Sequence, residues 1–480
     1  MKKYDLIVIG AGSGGIGAAG IADRIGVNVL MITDTAFNTG GDCLNYGCVP
    51  SKALIHVSRL FHAGRQARRF GMEAEGKADF QKVLEYIHSK QDIIRARENP
   101  EHFRERGIDV VIGRASFTDR KTVEVNGKKY TADKIVLATG SRPRELDVPG
   151  QEKVAKIHTN ETLFFDLKEL PAKLLIAGGG PIACELGQAM SRLGSEVTIV
   201  NRGEQIMEKE LADFQQIMHN LLTAEGIKII NNAEIKSFSA ADTAVYQTKD
   251  GKTGKLTFDT VLAAIGRVVN TENMGLDKAG IEVKDGKIVT DDRYRSTNSR
   301  VFVVGDALGK EQFSHGAEMH NRDLIVNMLS PVPLRRHSTE HLSWVTYTDP
   351  EVATFGRSEA ELREQGIDFT KIEQDFTEDD RAVTADYHTY GKLVLYLSKK
   401  TLFNRSVKIL GGTMLAPHAG ELIQELLTAN IAGTDVNVLF NKVYPYPVAT
   451  RINQKAITQF REGDLTEGLK RVLSWLYKKM

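Results

Sequence analysis

The sequence of 480 residues predicts an α/β protein with two βαβ units and a third, α+β domain. Near the N-terminus, an apolar segment of strand length runs into a glycine-rich turn and then a helix, and this order returns near residue 173. The stretch Ser330–Pro333 is typical of a linker, and beyond it strand-like and helix-like segments alternate. Such a length has room for about three domains of ~100–200 residues.

The first unit begins with the apolar residues 4–9, which lead into a glycine-rich turn. We expect a helix to about Gly26 and then a strand from Val27 to Ile32. In a G-x-G-x-x-G turn the glycines allow close approach of a pyrophosphate, and the N-terminus of the helix favours its charge. The pattern therefore predicts a Rossmann-like dinucleotide site at Gly10, Gly12 and Gly15.

The end of the second strand departs from the usual pattern. An acidic residue normally stands there and holds the ribose of the dinucleotide. Thr33 occupies that position, and Asp34 follows it. We therefore expect Asp34 to take this role if the strand ends one residue later.

The second unit has the G-x-G-x-x-A variant of the turn, formed by Gly178, Gly180 and Ala183, and its helix is expected to end at Leu193. Its second strand ends in Asn201-Arg202, without a carboxylate. A carboxylate at this place favours NAD, whereas an arginine can accept the 2′-phosphate of NADP. We therefore expect NADPH rather than NADH, and NADH stays open as the alternative.

The overall composition excludes several classes of protein. The chain has 63 basic and 62 acidic residues, so an electrostatic nucleic-acid binder is not expected. No apolar run approaches the ~20 residues of a membrane span, and the short apolar start fits a first strand, so we expect a cytoplasmic protein. With only three cysteines, neither a disulfide-stapled scaffold nor a zinc site is expected.

Two of the cysteines, Cys43 and Cys48, lie close together in the segment Gly40–Lys52. A thiolate is the reactive form of cysteine, and a helix N-terminus with a nearby positive charge lowers the pKa of a thiol. Pro50 suits the first turn of a helix, and Lys52 supplies the charge. The pair therefore predicts redox chemistry, since structural disulfides are uncommon in the cytosol.

The C-x4-C segment resembles the redox-active disulfide of the class I pyridine nucleotide-disulfide oxidoreductases, and the resemblance extends over nearly the whole chain. It implies FAD in the first unit, NADPH or NADH in the second, and a homodimer. The implied domains are an FAD-binding domain of residues 1–150 and 270–337, an NAD(P)-binding domain of residues 151–269, and a dimerisation domain of residues 338–480.

The resemblance also implies roles for single residues. Cys48 would be the charge-transfer thiol against the flavin, and Cys43 would be the interchange thiol. Lys52 would approach the flavin and pair with Glu185. Further matches to cofactor-binding segments are found at Ala115, Thr139, Gly140, Gly266, Asp306 and His315.

One C-terminal segment departs from the family. Members that reduce disulfides have a His-Pro-x-x-x-Glu segment, but Tyr446 stands in place of the histidine and Arg451 in place of the glutamate. Loss of a general acid/base costs ~10²–10⁴ in rate, which argues against efficient turnover of lipoamide or glutathione disulfide. Tyr446 is therefore either a residue that contacts the acceptor or an interface residue.

The resemblance implies a FAD-dependent NAD(P)H oxidoreductase that passes electrons through the Cys43–Cys48 disulfide to an acceptor. The expected acceptor is a metal ion, a quinone or a small sulfur compound. A dihydrolipoamide dehydrogenase is the alternative among enzymes. A redox sensor without catalytic activity is the alternative of another class.

The C-terminal tail has an apolar stripe at helical spacing, formed by Leu469, Val472, Leu473 and Leu476. Basic residues surround this stripe, and a basic amphipathic helix can lie on a membrane surface. More often such a stripe packs on its own protein. We expect packing on the protein, with peripheral membrane contact as the alternative.

Overall fold

The computed structural model describes residues 2–73, 76–330, 332, 334–400, 406–463 and 465–480. The chain forms two compact units, Met1–Glu208 with Met218–His337, and Lys209–Ile217 with Ser338–Met480. The expected linker lies partly outside the described residues, because Pro331 and Pro333 are not among them. In the described residues no helix is both long and apolar enough to cross a membrane.

A seven-stranded sheet dominates the first part of the first unit. Strand Lys2–Ile9 pairs in parallel with Val29–Thr33 on one side and with Lys128–Leu137 on the other. The central strand is a continuous apolar run because both faces of a parallel sheet are covered, and Ile7 and Val8 are fully buried. The other strands of this sheet are Asp109–Ile112, Ser116–Phe117, Thr122–Val125 and Val301–Val303.

Helix Ser13–Arg24 follows the first glycine turn. It ends before Gly26 because that glycine has a φ of +80°, a left-handed conformation that terminates helices. The α-helices of this part are Gly41–Asn45, Cys48–Ala67, Phe80–Arg95, Pro100–Glu105 and Ser314–Leu329, and the short 3-10 segments are Arg68–Phe70 and Gly305–Leu308.

A second parallel sheet has the strand order Lys228–Ile230, Glu196–Val200, Lys173–Ala177, Thr260–Ala263 and Ile157–His158. Helix Pro181–Leu193 follows the second glycine turn and ends where the sequence predicts. The two Rossmann-like units of the predicted fold class are thereby confirmed.

Smaller elements complete this part of the chain. The short helices are Asn160–Asp166 and the 3-10 segment Gln151–Lys153, and a longer helix spans Ala212–Ala224. The antiparallel strands are Ala233–Ala240, Thr243–Thr248 and Thr253–Thr257 in one sheet, Ser141–Pro143 with Arg267–Val269, and Val283–Lys284 with Lys287–Ile288.

The second unit contains a five-stranded antiparallel sheet, so the predicted α+β domain is confirmed. Its core includes the fully buried Phe355, Leu395 and Met414. The strands, in sheet order, are Ser343–Thr346, Glu351–Gly356, Ile409–Ala416, Lys392–Ser398 and Phe369–Asp375. The helices are Glu359–Glu364, Asp380–Thr384, Ala419–Leu422, Gln424–Ala432, Asn437–Asn441, Arg451–Glu462 and Glu467–Lys479.

The C-terminal helix Glu467–Lys479 differs from the expectation. We expected its apolar stripe to pack on the protein, but this prediction is wrong for the single chain, because every residue of the helix is exposed. The helical period alone could not decide this, since it fixes which side of a helix is apolar and not what covers that side.

Candidate active site

In the first glycine turn, two positions, Gly10 and Gly15, leave no room for a side chain. Gly10 has a φ of +108°, and a Cβ on it would lie 2.1 Å from the carbonyl oxygen of Ala138. Gly12 precedes helix Ser13–Arg24, and no side chain caps the backbone N–H groups there. A Cβ on Gly15 would lie 1.9 Å from the carbonyl oxygen of Gly10. An open helix N-terminus framed by glycines fits a dinucleotide pyrophosphate.

The second glycine turn repeats this geometry. Gly178 has a φ of +113°, and a Cβ on it would lie 2.2 Å from the carbonyl oxygen of Ala264. A Cβ on Gly180 would meet no heavy atom within 4 Å, and no side chain caps helix Pro181–Leu193. Ala183 is fully buried in that helix. The structure therefore offers two separate helix N-termini that fit two dinucleotides.

The strand ends beside the two turns carry different side chains. In the first unit the second strand ends at Thr33. The carboxylate of the exposed Asp34 accepts hydrogen bonds from Asn38 Nδ2 at 2.9 Å and from the backbone N–H of Thr35 at 2.8 Å. In the second unit the buried Asn201 donates to the carbonyl oxygen of Gln205 at 2.9 Å. Arg202 is exposed, and within the described residues its side chain has no hydrogen bond or ion pair.

The two cysteines of the C-x4-C segment lie at the junction of two helices. Cys43 is half-buried in helix Gly41–Asn45, and Cys48 is the exposed first residue of helix Cys48–Ala67. Gln91 holds the turn between them, since its Nε2 donates to the carbonyl oxygens of Leu44 and Asn45, at 2.9 Å each. Neither thiol is in a disulfide bond, and the hydrogen bonds from Gln91 hold the backbone between them.

The two thiols differ in electrostatics. A hydrogen bond from Cys43 lowers the pKa of Cys48 to about 6, and Ser314, whose Oγ lies 3.4 Å from Sγ, and the charge of Lys52 act in the same direction. The hydrogen bond to Cys48 and burial raise the pKa of Cys43. At neutral pH, Cys48 is therefore a thiolate and Cys43 a thiol. Complete burial raises the pKa of Cys184 to about 12, so that thiol is unreactive.

Lys52 and Glu185, which are far apart in the sequence, form an ion pair. Nζ of Lys52 lies 2.7 Å from Oε2 of Glu185, whose side chain is buried. Lys52 lies one turn after Cys48 in the same helix, and Glu185 lies in the helix that follows the second glycine turn. The structure thus places a fixed cation near the thiolate, and its contact with a flavin stays a prediction.

The other residues that the resemblance assigns to FAD lie around the loops of the first unit. Thr139 Oγ1 donates to the carbonyl oxygen of Asn270 at 3.1 Å, and Gly140 has a φ of +69°. Ala115 is buried between two strands. His315 is exposed and stacks on Phe313 with ring centroids 5.1 Å apart. Gly266 has a φ of +105° beside strand Arg267–Val269.

Tyr446 lies in the second unit, where its side chain is 67% exposed. Its hydroxyl donates to Oδ2 of Asp380 at 3.1 Å, and this hydrogen bond raises the pKa of Tyr446. The guanidinium of Arg451 lies 5.5 Å from the centre of the tyrosine ring. A tyrosine with a raised pKa stays protonated at neutral pH, so it cannot replace histidine as a general base.

The comparisons with known proteins agree with this geometry. The model of the pyridine nucleotide-disulphide oxidoreductase family matches residues 4–321, and that of the family's dimerisation domain matches residues 342–457. The chain belongs to this family. It is 30% identical to the dihydrolipoyl dehydrogenase of Mycoplasma genitalium over 95% of this chain and 99% of that protein. It is 29% identical to a mercuric reductase of Staphylococcus aureus over 92% of this chain and 80% of that protein.

Solved structures share the fold. The HOCl-induced flavoprotein disulfide reductase RclA from Escherichia coli, solved as a Cu(II) complex, matches with a TM-score of 0.81 and 24% identity over 96% of this chain and 100% of that chain. LpdA from Mycobacterium tuberculosis matches with a TM-score of 0.81 and 23% identity, with the same coverage. Both likenesses concern the fold alone.

Family membership establishes the general chemistry. Members use FAD and NAD(P)H and carry a redox-active disulfide, so this protein is a flavoprotein oxidoreductase. The two uncapped helix N-termini fit these two dinucleotides. The dimerisation domain supports a homodimer. The relatives act on different acceptors, so membership alone leaves the acceptor open.

The sequence identified Gly266-Arg267 as a family match but gave Arg267 no role, and the structure shows that Arg267 joins several parts of the site. Its guanidinium donates to Asp42 Oδ1 at 3.1 Å and to Ser141 Oγ at 2.7 Å. Ser141 in turn donates to Asp306 Oδ2 at 2.5 Å, and burial raises the pKa of Asp306. One arginine thereby links the residue before Cys43 to Asp306. The only local signal was its position after Gly266, because Asp42 is 225 residues away.

Proposed function

We propose that this flavoprotein uses NADPH and passes electrons through Cys43 and Cys48 to a small thiophilic acceptor, above all a metal ion. The observation that carries the proposal is the pair of neighbouring free thiols, the exposed Cys48 and the half-buried Cys43, and their hydrogen bond lowers the pKa of Cys48 to about 6. Soft metal ions prefer thiolate ligands, and two adjacent sulfurs can hold such an ion.

The residues that would hold the cofactors follow from the two glycine turns. Gly10, Gly12 and Asp306 would contact FAD, and Gly180 and Arg202 would contact NADPH. When bound, FAD would supply the two-electron chemistry that connects NADPH with the cysteine pair. Arg202 supports NADPH because it is the exposed cation at the strand end, where Asn201 is engaged with the backbone.

The cysteine pair carries the two-electron step of the reaction. When the bond between Sγ of Cys43 and Sγ of Cys48 forms, two electrons pass to the acceptor. Cys43 releases its proton to solvent, whereas Cys48 has already lost its proton at neutral pH. A divalent ion that takes both electrons becomes the neutral element, and two ions that take one electron each are both lowered by one charge. No proton is delivered to the acceptor.

Tyr446 supports a metal ion over an organic disulfide. A disulfide acceptor leaves as a thiolate that a general acid must protonate, and such a group is worth ~10²–10⁴ in rate. Tyr446 is a weak acid because its hydrogen bond to Asp380 raises its pKa further. A metal ion needs no such proton, so the absence of histidine at this position is harmless for it.

The test is NADPH oxidation by the full-length holoenzyme with Cu(II), Hg(II), a quinone, lipoamide and glutathione disulfide as separate acceptors. We expect metal-dependent turnover at least ~10-fold above lipoamide turnover, by the general-acid argument. Cys43→Ser and Cys48→Ser should abolish it, and Cys184→Ser, the matched control, should keep it. Comparable lipoamide turnover would support a dihydrolipoamide dehydrogenase instead, and no turnover with any acceptor would support a redox sensor.

A second variant tests the role assigned to position 446. Tyr446→His with Arg451→Glu restores the residue types that disulfide-reducing relatives have. We expect lipoamide turnover to rise by ~10-fold or more while metal-dependent turnover stays the same, because only the first reaction needs a general acid. An unchanged lipoamide rate would contradict the explanation based on the missing acid.

A further inference from the structure

Within the described residues, the side chains of helix Glu467–Lys479 make hydrogen bonds, ion pairs and ring contacts only inside the segment 466–480. Thr466 caps it by accepting a hydrogen bond from the N–H of Leu469 at 3.3 Å. Lys470 lies 2.9 Å from Glu467, and Nζ of Lys479 lies 4.3 Å from the ring centre of Trp475. Every residue of the helix is exposed, and Trp475 is 55% exposed. Large apolar side chains that cluster on a surface mark an interaction site.

The side chains of this helix are sorted by polarity. At 3.6 residues per turn, one side is apolar and is formed by Leu469, Val472, Leu473, Leu476 and Met480. The opposite side is basic and polar and is formed by Lys470, Arg471, Ser474 and Lys478. Trp475 and Tyr477 lie at the two borders between these sides. Glu467 is the only acidic residue of the helix.

We propose that this helix binds the surface of an anionic membrane, with its apolar side in the lipid. The charge distribution favours this partner, because the basic side would face negative headgroups while the apolar side leaves water. Trp475 and Tyr477 have amphipathic rings that suit the boundary between lipid and water. Pairing with a second copy fits less well, since Lys470 and Lys479 flank the stripe and would meet like charges.

The test is co-sedimentation of the full-length holoenzyme with vesicles of phosphatidylcholine, with and without phosphatidylglycerol. We expect at least ~10-fold stronger partitioning to the anionic vesicles, which weakens as salt is added. Leu473→Asp should abolish binding. Val283→Asp, an exposed apolar residue of the first unit, is the matched control and should bind like the original protein.

Two outcomes would overturn the membrane proposal. One is partitioning that is equally weak on both vesicles. The other is loss of the dimer on Leu473→Asp, measured by analytical ultracentrifugation without lipid, because the stripe would then be covered by a second copy. NADPH oxidation should stay unchanged in both Asp variants, so the outcome is independent of the acceptor.

Helix Ser314–Leu329 contains two consecutive buried polar residues, His320 at 0% and Asn321 at 2% exposure. Nδ1 of His320 accepts the backbone N–H of Gly305 at 3.2 Å. Nδ2 of Asn321 donates to the carbonyl oxygen of Gly14 at 2.9 Å. Gly14 belongs to the first glycine turn, and Gly305 directly precedes Asp306. One helix therefore holds both backbone segments on the flavin side of the site.

A carboxylate fixes the orientation of the His320 ring. Because Nδ1 accepts a hydrogen bond, the proton of the neutral ring is on Nε2, which lies 3.3 Å from Glu311 Oε2. Nε2 of His337 lies 2.8 Å from the same oxygen. Burial opposes the charge of Glu311, but the hydrogen bonds from both histidines hold its pKa well below the usual range.

The same three side chains could be taken for a metal site, since their ligand atoms lie within 4.8 Å of one another. A metal on Nε2 of His320 would need the proton on Nδ1, where it would face the N–H of Gly305. The hydrogen bonding therefore favours a positioning role. We infer that His320 and Asn321 position the Gly305–Asp306 turn and the first glycine turn for FAD, an inference that rests on the proposed flavin contacts.

Two variants of His320 test its contact with Gly305 separately from its contact with Glu311. His320→Asn keeps an acceptor near the place of Nδ1, whereas His320→Gln keeps a donor near Nε2 and loses the contact with Gly305. We expect the FAD dissociation constant to rise ~10-fold in His320→Gln and in Asn321→Ala, and much less in His320→Asn. The midpoint potential of the bound flavin should shift in the same order, an effect that a purely structural residue would not have.

Several outcomes would contradict this inference. Equal FAD affinity in the Asn and Gln variants would do so, whatever the acceptor panel shows. Binding of Co(II) at one site per chain, lost in His337→Gln, would make the cluster a metal site. If FAD affinity follows the expected order while no metal ion is reduced, only the proposed function fails.

Discussion

The two glycine turns have the same backbone but differ beside it. Gly10 and Gly178 have φ values of +108° and +113°, and a Cβ on either would meet a carbonyl oxygen, at 2.1 and 2.2 Å. At the third position, a Cβ on Gly15 would lie 1.9 Å from the oxygen of Gly10, whereas Ala183 carries its Cβ in a buried place. The first helix therefore lies closer to its own turn than the second.

The strand ends extend this comparison. Asp34 is engaged with Asn38, whereas Arg202 has no side-chain hydrogen bond or ion pair within the described ranges. Any dinucleotide needs a backbone that can approach its phosphates closely, and both glycine turns allow this approach. The strand ends supply the difference between nucleotides. We therefore propose that the common backbone binds a dinucleotide in each unit and that the side chain at the strand end selects which dinucleotide it is.

The largest effect is expected from exchanging the residue types at the third position of the two turns. Gly15→Ala brings a Cβ against a backbone oxygen, and overpacking of this kind costs ~1–3 kcal/mol, which weakens FAD binding by up to ~100-fold. Ala183→Gly should cost ~1 kcal/mol of stability and keep FAD. Flavin content and thermal melting measure both. Equal loss of FAD in Gly15→Ala and Ala183→Gly would contradict the difference between the two turns at their third position.

The second largest effect is expected for the reactivity of Cys48 when the neighbouring thiol of Cys43 is removed. The pKa of Cys48 is lowered to about 6, so its thiolate stabilises the folded state above the ordinary pKa of a thiol, and this contribution is lost as the pH falls through 6. Cys43→Ala removes the hydrogen bond from Cys43. The midpoint of the Cys48 titration should then move towards the ordinary thiol pKa of ~8.5, and alkylation of Cys48 at pH 7 should slow by up to roughly 30-fold.

Mass spectrometry of alkylated peptides over a pH series measures this shift. Cys184 is an internal control, because burial keeps it unreactive at every pH in the series. A midpoint for Cys48 that is the same with and without Cys43 would show that the helix N-terminus and Lys52 set the thiolate by themselves.

Arg202 should give a smaller effect. Arg202→Ala removes the cation that would meet a 2′-phosphate, and a hydrogen bond to a charged group is worth ~1.5–3 kcal/mol. We expect kcat/KM for NADPH to fall by ~10-fold or more, while the value for NADH stays within ~2-fold. Steady-state kinetics with NADPH and NADH measure this difference. An equal decrease of kcat/KM for both nucleotides would show that Arg202 does not select between them.

Asp34 should give the smallest effect. Asp34→Asn removes the charge but keeps an acceptor for Asn38, so we expect FAD binding to weaken by only ~2–5-fold. Fluorescence titration of the apoprotein with FAD measures it. A loss as large as that of Gly15→Ala would mean that Asp34 is a principal ribose contact, and the two strand ends would then be more alike than proposed.

Local signals in the sequence predicted most of the fold. Apolar runs, glycine turns and helix periods lie within a few residues of one another, and helix Pro181–Leu193 ends where the sequence predicts. The first helix ends at Arg24, slightly before the expected end at about Gly26. The division into three domains and the roles of single site residues stay predictions.

The sequence by itself determined the two glycine turns, the spacing of Cys43 and Cys48, and the tyrosine in place of histidine. Only the tertiary structure decided that the thiol of Cys48 carries the charge and that Arg267 joins Asp42 to Ser141. It also decided that the apolar side of the C-terminal helix is exposed in the single chain. Glycine requirements and spacing depend on neighbouring residues. Charge, hydrogen bonding and burial depend on groups that are brought together from distant parts of the chain.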